Sequence, residues 1–368
     1  MNLSERLLRI ICGEERSLSA SVFRTAARVI EPIYGAAVDW RNRRFDRKYA
    51  RNEISHADAP VVSVGNLTLG GTGKTPLVLW IAEQLLAQNK RVAVLSRGYK
   101  SAEQRSALND EGREMKRRLP ELILLQHPDR VALARRAVSE FHAECLLLDD
   151  GFQHRRLFRD VDVVVIDATA PFGATGRLFP NGTLREPRES LKRADAVVFT
   201  HATKVLEAQK KDILAQISAI PGRKPELIVA ETRHAPEAFV VAGSAEGHSD
   251  ETRLPLDAFR GARVGVFCGV GNPEAFLNTL AEVGIDPGNR VKRYPDHCAF
   301  DARSVEALEA WSRSERLDAL LCTEKDIVKF DTTLPSVPLA ALRIRLEFLA
   351  SEEAFREKVL STLKGNLV

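Results

Sequence analysis

The chain has little of what staples small secreted or metal-bound folds together. Its five cysteines (Cys12, Cys145, Cys268, Cys298, Cys322) are scattered through 368 residues with no C-x-x-C pair. That spacing excludes a clustered-thiolate zinc site and a disulfide framework, and it fits a reducing compartment. No apolar run reaches the roughly 20 residues a membrane-spanning helix needs, and the N-terminus lacks the apolar core of a signal peptide. No fixed short repeat and no low-complexity segment occurs. A cytoplasmic protein is therefore expected, with contact to a membrane surface left open. What is present, 44% hydrophobic and 28% charged residues, is the composition of a folded globular protein. The length is enough for two domains, each with its own core.

Positive charge is concentrated at one end. Residues 1–51 hold eleven Lys/Arg against six acids, in a chain whose net charge is only +4. Apolar residues recur there at helical spacing: Leu3, Leu7, Leu8 and Ile11 form one stripe, and Val22, Phe23, Ala26, Val29, Ile30 and Ile33 another. Trp40, Phe45 and Tyr49 interleave with the arginines that follow. A basic amphipathic segment of this kind lies on an anionic membrane surface, or it packs as a helix pair with a solvated basic edge.

The chain is organised around Gly65-Asn66-Leu67-Thr68-Leu69-Gly70-Gly71-Thr72-Gly73-Lys74-Thr75. An apolar strand-like run at 60–64 precedes it, and a helical pattern opening with Pro76 follows, a position where proline is tolerated. Strand, glycine loop, Gly-Lys-Thr and helix together make a phosphate-binding loop. Backbone N–H groups of Gly70, Gly71, Thr72 and Gly73 are positioned to cradle phosphate oxygens at a helix N-terminus. Lys74 is expected to reach the β- and γ-phosphates and Thr75 to ligate Mg²⁺. The one departure is Thr68, where the loop pattern has glycine.

Strand and helix patterns then alternate. Strand-like runs occupy 91–96, 145–148, 161–167 and 194–200, and 129–141 has helical periodicity. Near-continuous apolar strands between helices indicate a parallel sheet covered on both faces. Proline and glycine gather at 220–258, which reads as a hinge. Beyond it, a strand enters Gly269-Val270-Gly271, and helices are expected at 274–283 and 301–316. The expected fold class is α/β: a P-loop NTPase-like parallel-sheet domain (52–222), a hinge (223–258) and a second, smaller α/β domain (259–368) that includes a C-terminal helix. The amphipathic helical segment (1–51) comes first.

A P-loop enzyme that transfers phosphate needs a strand-end carboxylate for its metal. Asp149 and Asp150 end one apolar run, and Asp167, at the end of the next, competes for the role. Guanine recognition requires N-K-x-D after a strand. Thr323-Glu324-Lys325-Asp326 has its lysine one place late, so ATP is favoured over GTP.

The ordered set is more specific than any part. The phosphate loop, Ser96-Arg97-Gly98-Tyr99, Asp149-Asp150-Gly151-Phe152-Gln153-His154 and Leu184-Arg185-Glu186-Pro187 appear in sequence. Gly269-Val270-Gly271-Asn272-Pro273, Asp296-His297 and Thr323-Glu324-Lys325-Asp326 follow. This chain resembles the tetraacyldisaccharide 4′-kinases, the lipid A 4′-kinases of Gram-negative bacteria, from about residue 60 to 330. The resemblance implies transfer of the ATP γ-phosphate to the 4′-hydroxyl of an acylated glucosamine disaccharide 1-phosphate at the cytoplasmic face of the inner membrane. The protein would be peripheral there, bound through its N-terminal helix to an anionic surface. It also implies ATP and Mg²⁺ as cofactors, an Asp base in a Gly-Asp-Glu-Pro run and an assisting His in an Asp-His pair. Here those are Asp110, in Asn109-Asp110-Glu111-Gly112 with both flanks changed, and His297. Arg97, Tyr99 and Arg185 are candidates for the acceptor. Asp110 precedes the hinge and His297 follows it, so domain closure is expected to assemble the site. No nucleic-acid partner and no obligate protein partner is expected. The alternatives are a P-loop kinase of a soluble metabolite and an ATPase switch that phosphorylates no acceptor.

Overall fold

The computed structural model describes residues 3–15, 17–98, 108–241, 252–296, 298–330 and 337–363. In chain order α1 (Leu3–Ile11) and α2 (Leu18–Ala50) come first, followed by β1 (Val61–Gly65), α3 (Lys74–Leu86) and β2 (Val92–Ser96). Next are α4 (Asp110–Arg118), β3 (Ile123–Gln126), α5 (Arg130–Ser139), β4 (Cys145–Asp149), β5 (Val161–Asp167) and β6 (Ala196–Thr200). Then come α6 (Glu207–Ser218), β7 (Ile228–Val241), β8 (Arg253–Leu254), β9 (Val264–Cys268), α7 (Pro273–Glu282) and β10 (Val291–Arg293). The chain ends with α8 (Ala302–Glu315), β11 (Ala319–Thr323), the single turn α9 (Glu324–Ile327), β12 (Leu339–Ala350) and α10 (Glu352–Ser361).

Several helix starts are set by side chains that accept from orphan backbone donors of the first turn. Ser17 accepts from Ala20 N, Asn109 from Gly112 N and Asp129 from Val131 N and Ala132 N. Asn272 and Asp301 do the same for α7 and α8. The caps of α5, α7 and α8 place those helices within a residue or two of where the sequence pattern puts them, whereas α4 falls in a stretch that read only as polar and charged.

Two compact units are present. Unit 1 comprises Met1–Ser106, Glu121–Arg233 and Leu346–Val368; unit 2 comprises Ala107–Pro120 and His234–Arg345. Unit 1 carries a parallel sheet in the order β7-β6-β5-β1-β4-β2-β3. Its central strands β1, β4 and β6 are buried at every position, as expected for strands covered on both faces. Each fully buried Leu, Val, Ile or Phe there contributes about 1.5–3 kcal/mol. The pairing Val64↔Asp149 sets the carboxyl end of β4 beside the start of the glycine loop. Unit 2 has its own parallel strands in the order β10-β9-β11-β12, with β8 antiparallel to the last part of β7. Its core is gathered around Phe239, Val266, Leu280 and Leu321 on one face and Phe267, Phe300 and Leu308 on the other.

The expected α/β class, with a parallel sheet and an N-terminal helical segment, is what the structure has. The expected boundaries change in three places. Residues 223–258 are not a bare hinge: β7 runs 14 residues from Ile228 to Val241, with Ala230, Thr232, Ala235, Phe239 and Val240 buried. Pro236, which suggested a break, falls between the residues paired with β6 and those paired with β8. The C-terminal helix belongs to unit 1 rather than to the second domain. Phe355 is fully buried, with its ring 5.7 Å from Trp80 and 5.6 Å from Phe348. An amphipathic pattern shows that a helix packs, but not on which core. Finally, the run Ala107–Pro120 leaves the first domain for unit 2.

Candidate active site

Gly65 ends β1 at a point where a Cβ would lie 2.6 Å from both the backbone N and the Cβ of Phe152. Only glycine lets the loop after β4 close this tightly on β1. Gly73 is the residue before α3 and sits at φ +76, a left-handed conformation that suits glycine. No side chain caps α3, so its first N–H groups are left to a ligand or to water. Thr72 is buried; its carbonyl accepts from the Thr200 hydroxyl at 2.9 Å, and its own Oγ1 has no partner among the described residues. An orphaned buried hydroxyl in a glycine loop fits a bound phosphate oxygen.

Thr68 is explained by its neighbours. It forms an antiparallel bridge with Leu184, while Leu69 N donates to Thr183 O and Arg185 N donates to Leu67 O, each at 2.7 Å. A residue in that strand-like pairing needs no glycine. Asn66 closes the turn by donating Nδ2 to Thr68 O at 3.0 Å, and Gln153 Nε2 donates to Asn66 O at 2.9 Å. The loop is thus laced to the two segments, 149–154 and 184–187, that were legible as motifs, and to Thr183 just before the second.

Asp149 is the last residue of β4 and is buried; Asp150 follows at φ +53. Lys74 Nζ lies 3.4 Å from Asp150 Oδ1, and Arg185 Nη1 donates to both Asp150 oxygens at 2.9 and 2.8 Å. Burial pushes the Asp150 carboxyl up, but the charges of Lys74 and Arg185 together outweigh it and hold it below the usual carboxylate range. Thr75 is half-buried in the first turn of α3. Strand-end carboxylates beside a Gly-Lys-Thr helix start are the donor chemistry that Mg²⁺ takes, so Thr75, Asp149 and Asp150 fit a metal carried in with a nucleotide. Asp167, the competing carboxylate, is engaged by His201 Nδ1 at 3.2 Å and by both the N–H and hydroxyl of Thr169.

The other candidates are placed unevenly. Arg97 is exposed at the end of β2, which is separated from β1 by β4. Tyr99 and His297 lie outside the described residues. Arg185, expected at the acceptor, clasps Asp150. Asp110 opens α4 in unit 2, where Arg113 Nη2 donates to its Oδ1 at 2.7 Å and Lys329 Nζ stands 3.9 Å from its Oδ2. Lys329 is buried and pairs with Asp326 at 3.0 Å; Asp326 also accepts from Gly269 N and from the Thr323 hydroxyl. Asp296 pairs with Lys325 at 3.0 Å. Unit 2 therefore joins Asp110 to the Thr323-to-Asp326 motif through a lysine that sequence reasoning missed. The only available signal was its place three residues after Asp326.

α2 has two faces. Leu18, Val22, Val29, Ile33 and Trp40 are 62–84% exposed and recur every four or seven residues along one side. Below Trp40 the stripe meets a cavity of about 340 Å³ lined by Trp40, Arg44, Arg47, Lys48, Arg51 and Glu53. The opposite side packs within unit 1, where Arg155 stacks on Phe45 and Tyr49 at 5.5 and 5.3 Å and donates to Asp46. The packed face is that of a helix seated on the main domain, and the other face is left exposed and apolar. No described helix is long and apolar enough to cross a membrane.

A glycine loop running from a central parallel strand into a Gly-Lys-Thr helix, with a strand-end carboxylate salt-bridged to the lysine, defines a P-loop phosphotransfer fold. The family model for tetraacyldisaccharide-1-P 4′-kinase matches residues 24–364. A tetraacyldisaccharide 4′-kinase from Anaeromyxobacter sp. (strain K) is 37% identical over 328 residues, covering 85% of this chain and 83% of that protein. One from Geobacter sulfurreducens is 33% identical and covers 96% of this chain and 98% of its own. The chain belongs to the tetraacyldisaccharide 4′-kinase family. Its fold matches a crystal structure described as "apo" form LpxK from Aquifex aeolicus in complex with ATP, at a TM-score of 0.70, 23% identity and coverage of 93% and 99%.

Proposed function

We propose that this chain transfers the γ-phosphate of ATP to the 4′-hydroxyl of a tetraacylated glucosamine disaccharide 1-phosphate, a step of lipid A biosynthesis. The observation that carries the proposal is the Lys74–Asp150–Arg185 cluster on the phosphate loop of a chain in this family. A P-loop enzyme stabilises charge on the transferring phosphoryl group and positions the acceptor; it does little covalent chemistry itself. Gly70, Gly71, Thr72 and Gly73 supply backbone donors, and Lys74 supplies the cation for the β- and γ-phosphates. Thr75, Asp149 and Asp150 are the proposed holders of Mg²⁺, which when bound neutralises phosphate charge. The acceptor oxygen bonds to phosphorus as the bond to the β–γ bridging oxygen breaks. Asp110 is the proposed acceptor of the hydroxyl proton, with His297 assisting it. Arg97 and Tyr99 are held for the acceptor, and Arg185 for Asp150.

The exposed apolar stripe of α2 and the basic cavity at its end support peripheral binding to an anionic membrane surface, with the stripe in the acyl boundary and the arginines at headgroup level. The inner membrane's cytoplasmic face is the proposed location. The test is incubation with γ-³²P-ATP, Mg²⁺ and the tetraacylated disaccharide 1-phosphate in detergent micelles. Labelled lipid is the expected result; ATP hydrolysis with no labelled lipid would leave an ATPase switch and end the kinase assignment.

A further inference from the structure

Arg185 and Glu186 are consecutive and face opposite ways. The Arg185 side chain clasps both oxygens of Asp150. The Glu186 side chain, 0% exposed, turns to α2, accepting from Arg41 Nη2 at 2.6 Å and Asn42 Nδ2 at 3.2 Å, and from Arg193 at 2.9 Å. The backbone between them is held from both sides as well. Arg185 N donates to Leu67 O at 2.7 Å, and the Tyr34 hydroxyl, also on α2, donates to Arg185 O at 2.9 Å. Arg193 is fixed in turn by stacking 4.2 Å from the Phe152 ring, two residues after Asp150. Asp150 itself stands in a left-handed conformation that a non-glycine residue keeps only when its surroundings enforce it.

We infer that α2 sets the position of the Asp150 carboxylate: Tyr34, Arg41 and Glu186 are positioning residues that hold Arg185 against it, so phosphoryl transfer depends on the state of a helix whose other face is exposed and apolar. The inference rests on the proposed role of Asp150 at the phosphate site. Physically the coupling is short. Tyr34, Val38, Arg41, Asn42, Phe45 and Tyr49 lie along one side of α2, and Leu18, Val22, Val29, Ile33 and Trp40 lie along another. Whatever seats on the outer stripe is therefore one helix diameter, about 10 Å, from the residues that grip Arg185. Once Lys74 turns to phosphate oxygens, Arg185 remains, among the described residues, as the side-chain cation paired with Asp150, and its own freedom is limited by α2 through one hydroxyl and one buried carboxylate. Glu186 holds its charge inside the protein because Arg193 and Arg41 outweigh the burial that would otherwise push its carboxyl up.

The test uses the full-length chain in mixed micelles with ATP, Mg²⁺ and the lipid acceptor. Tyr34→Phe removes one hydrogen bond and should lower kcat about fivefold, and Arg41→Ala about tenfold or more. Arg41→Lys, which keeps a cation opposite Glu186, should recover most of that loss. Thermal midpoints of Tyr34→Phe and Arg41→Lys should stay within a few degrees of the parent, and these two variants carry the test if Arg41→Ala does not fold. A double-mutant cycle separates positioning from general loosening. In an Arg185→Lys background the Tyr34 hydroxyl still has its carbonyl, so a structural effect of Tyr34→Phe would persist, whereas an effect acting through the Arg185 guanidinium should disappear. Persistence of the full fivefold loss there overturns the inference. Parent-like kcat in Tyr34→Phe and Arg41→Ala, beside an inactive Asp150→Asn, overturns the coupling and leaves the role of Asp150 standing. An active Asp150→Asn removes that role and the inference with it.

Discussion

Replacing Lys329 with methionine measures the buried ion cluster of unit 2. The ammonium is 3.0 Å from Asp326 and 3.9 Å from Asp110, with side-chain exposures of 3% for Lys329 and 0% for Asp326. At an effective dielectric near 20, the closer pair has about 5.5 kcal/mol of gross attraction, largely offset by desolvation of both ions. The substitution removes the attraction but leaves Asp326 buried with, among the described residues, two neutral donors, the Gly269 N–H and the Thr323 hydroxyl. Stripping one member from such a pair costs about 3–5 kcal/mol, a large share of the roughly 5–15 kcal/mol that holds a domain folded. Urea unfolding read from Trp311, with Trp40 and Trp80 replaced by phenylalanine, reports on unit 2 directly. Lys329→Met should lose about 3–5 kcal/mol, and adding Asp326→Asn should restore at least half, because no buried charge then stands alone. A loss below about 1 kcal/mol, or a double variant no better than the single one, refutes the reasoning.

Three further outcomes follow from the same geometry. Lys74→Met should cut phosphoryl transfer at least 100-fold, roughly the effect of removing one fixed donor from a charge-stabilising site, with the protein still folded; parent-like transfer contradicts the loop assignment. The Glu114 carboxyl is pushed up to about 8, first by burial and then by Glu324 and Glu111, against Arg118 and Lys325. It is neutral in the fold where the unfolded chain already ionises, so stability should fall as pH rises from about 5 to 8, by at most about 1.4 kcal/mol per unit. Glu114→Gln should flatten that slope in thermal melts, and parallel curves would contradict it. On α2, Ile33→Asp with Trp40→Ala should reduce co-flotation with anionic vesicles about tenfold or more; unchanged flotation would mean the stripe does not meet the membrane.

The sequence carried the phosphate site because several local signals agree there. An apolar strand, glycines at the turn, Gly73-Lys74-Thr75 and a helix with proline in its first turn all demand the same βα unit, and Asp149-Asp150 ends a strand that pairs with it. Its fine structure was less legible. Thr68 read as a departure because its bridge partner, Leu184, is over a hundred residues away. The grip of α2 was hidden for the same reason: Arg41 and Glu186 are 145 residues apart, and polar residues spaced three or four apart on a helix look like any solvated face. The stripe of exposed apolar residues was visible as periodicity, but only the fold shows which face is left uncovered. β7 was obscured by Pro236, and the docking of α10 depended on Trp80, which nothing near residue 355 announces. For Asp110 the sequence offered only a changed motif. The structure adds that Arg113 and Lys329 hold both its oxygens among cations.

The position of the new phosphate on the product tests the enzymatic assignment most directly. Lipid recovered after reaction with ATP and Mg²⁺ should show, by ³¹P–¹H correlation, a second phosphomonoester coupled to the proton on C4′ with the 1-phosphate intact. A pyrophosphate at position 1, a phosphoester on another hydroxyl, or inorganic phosphate as the sole product would contradict it.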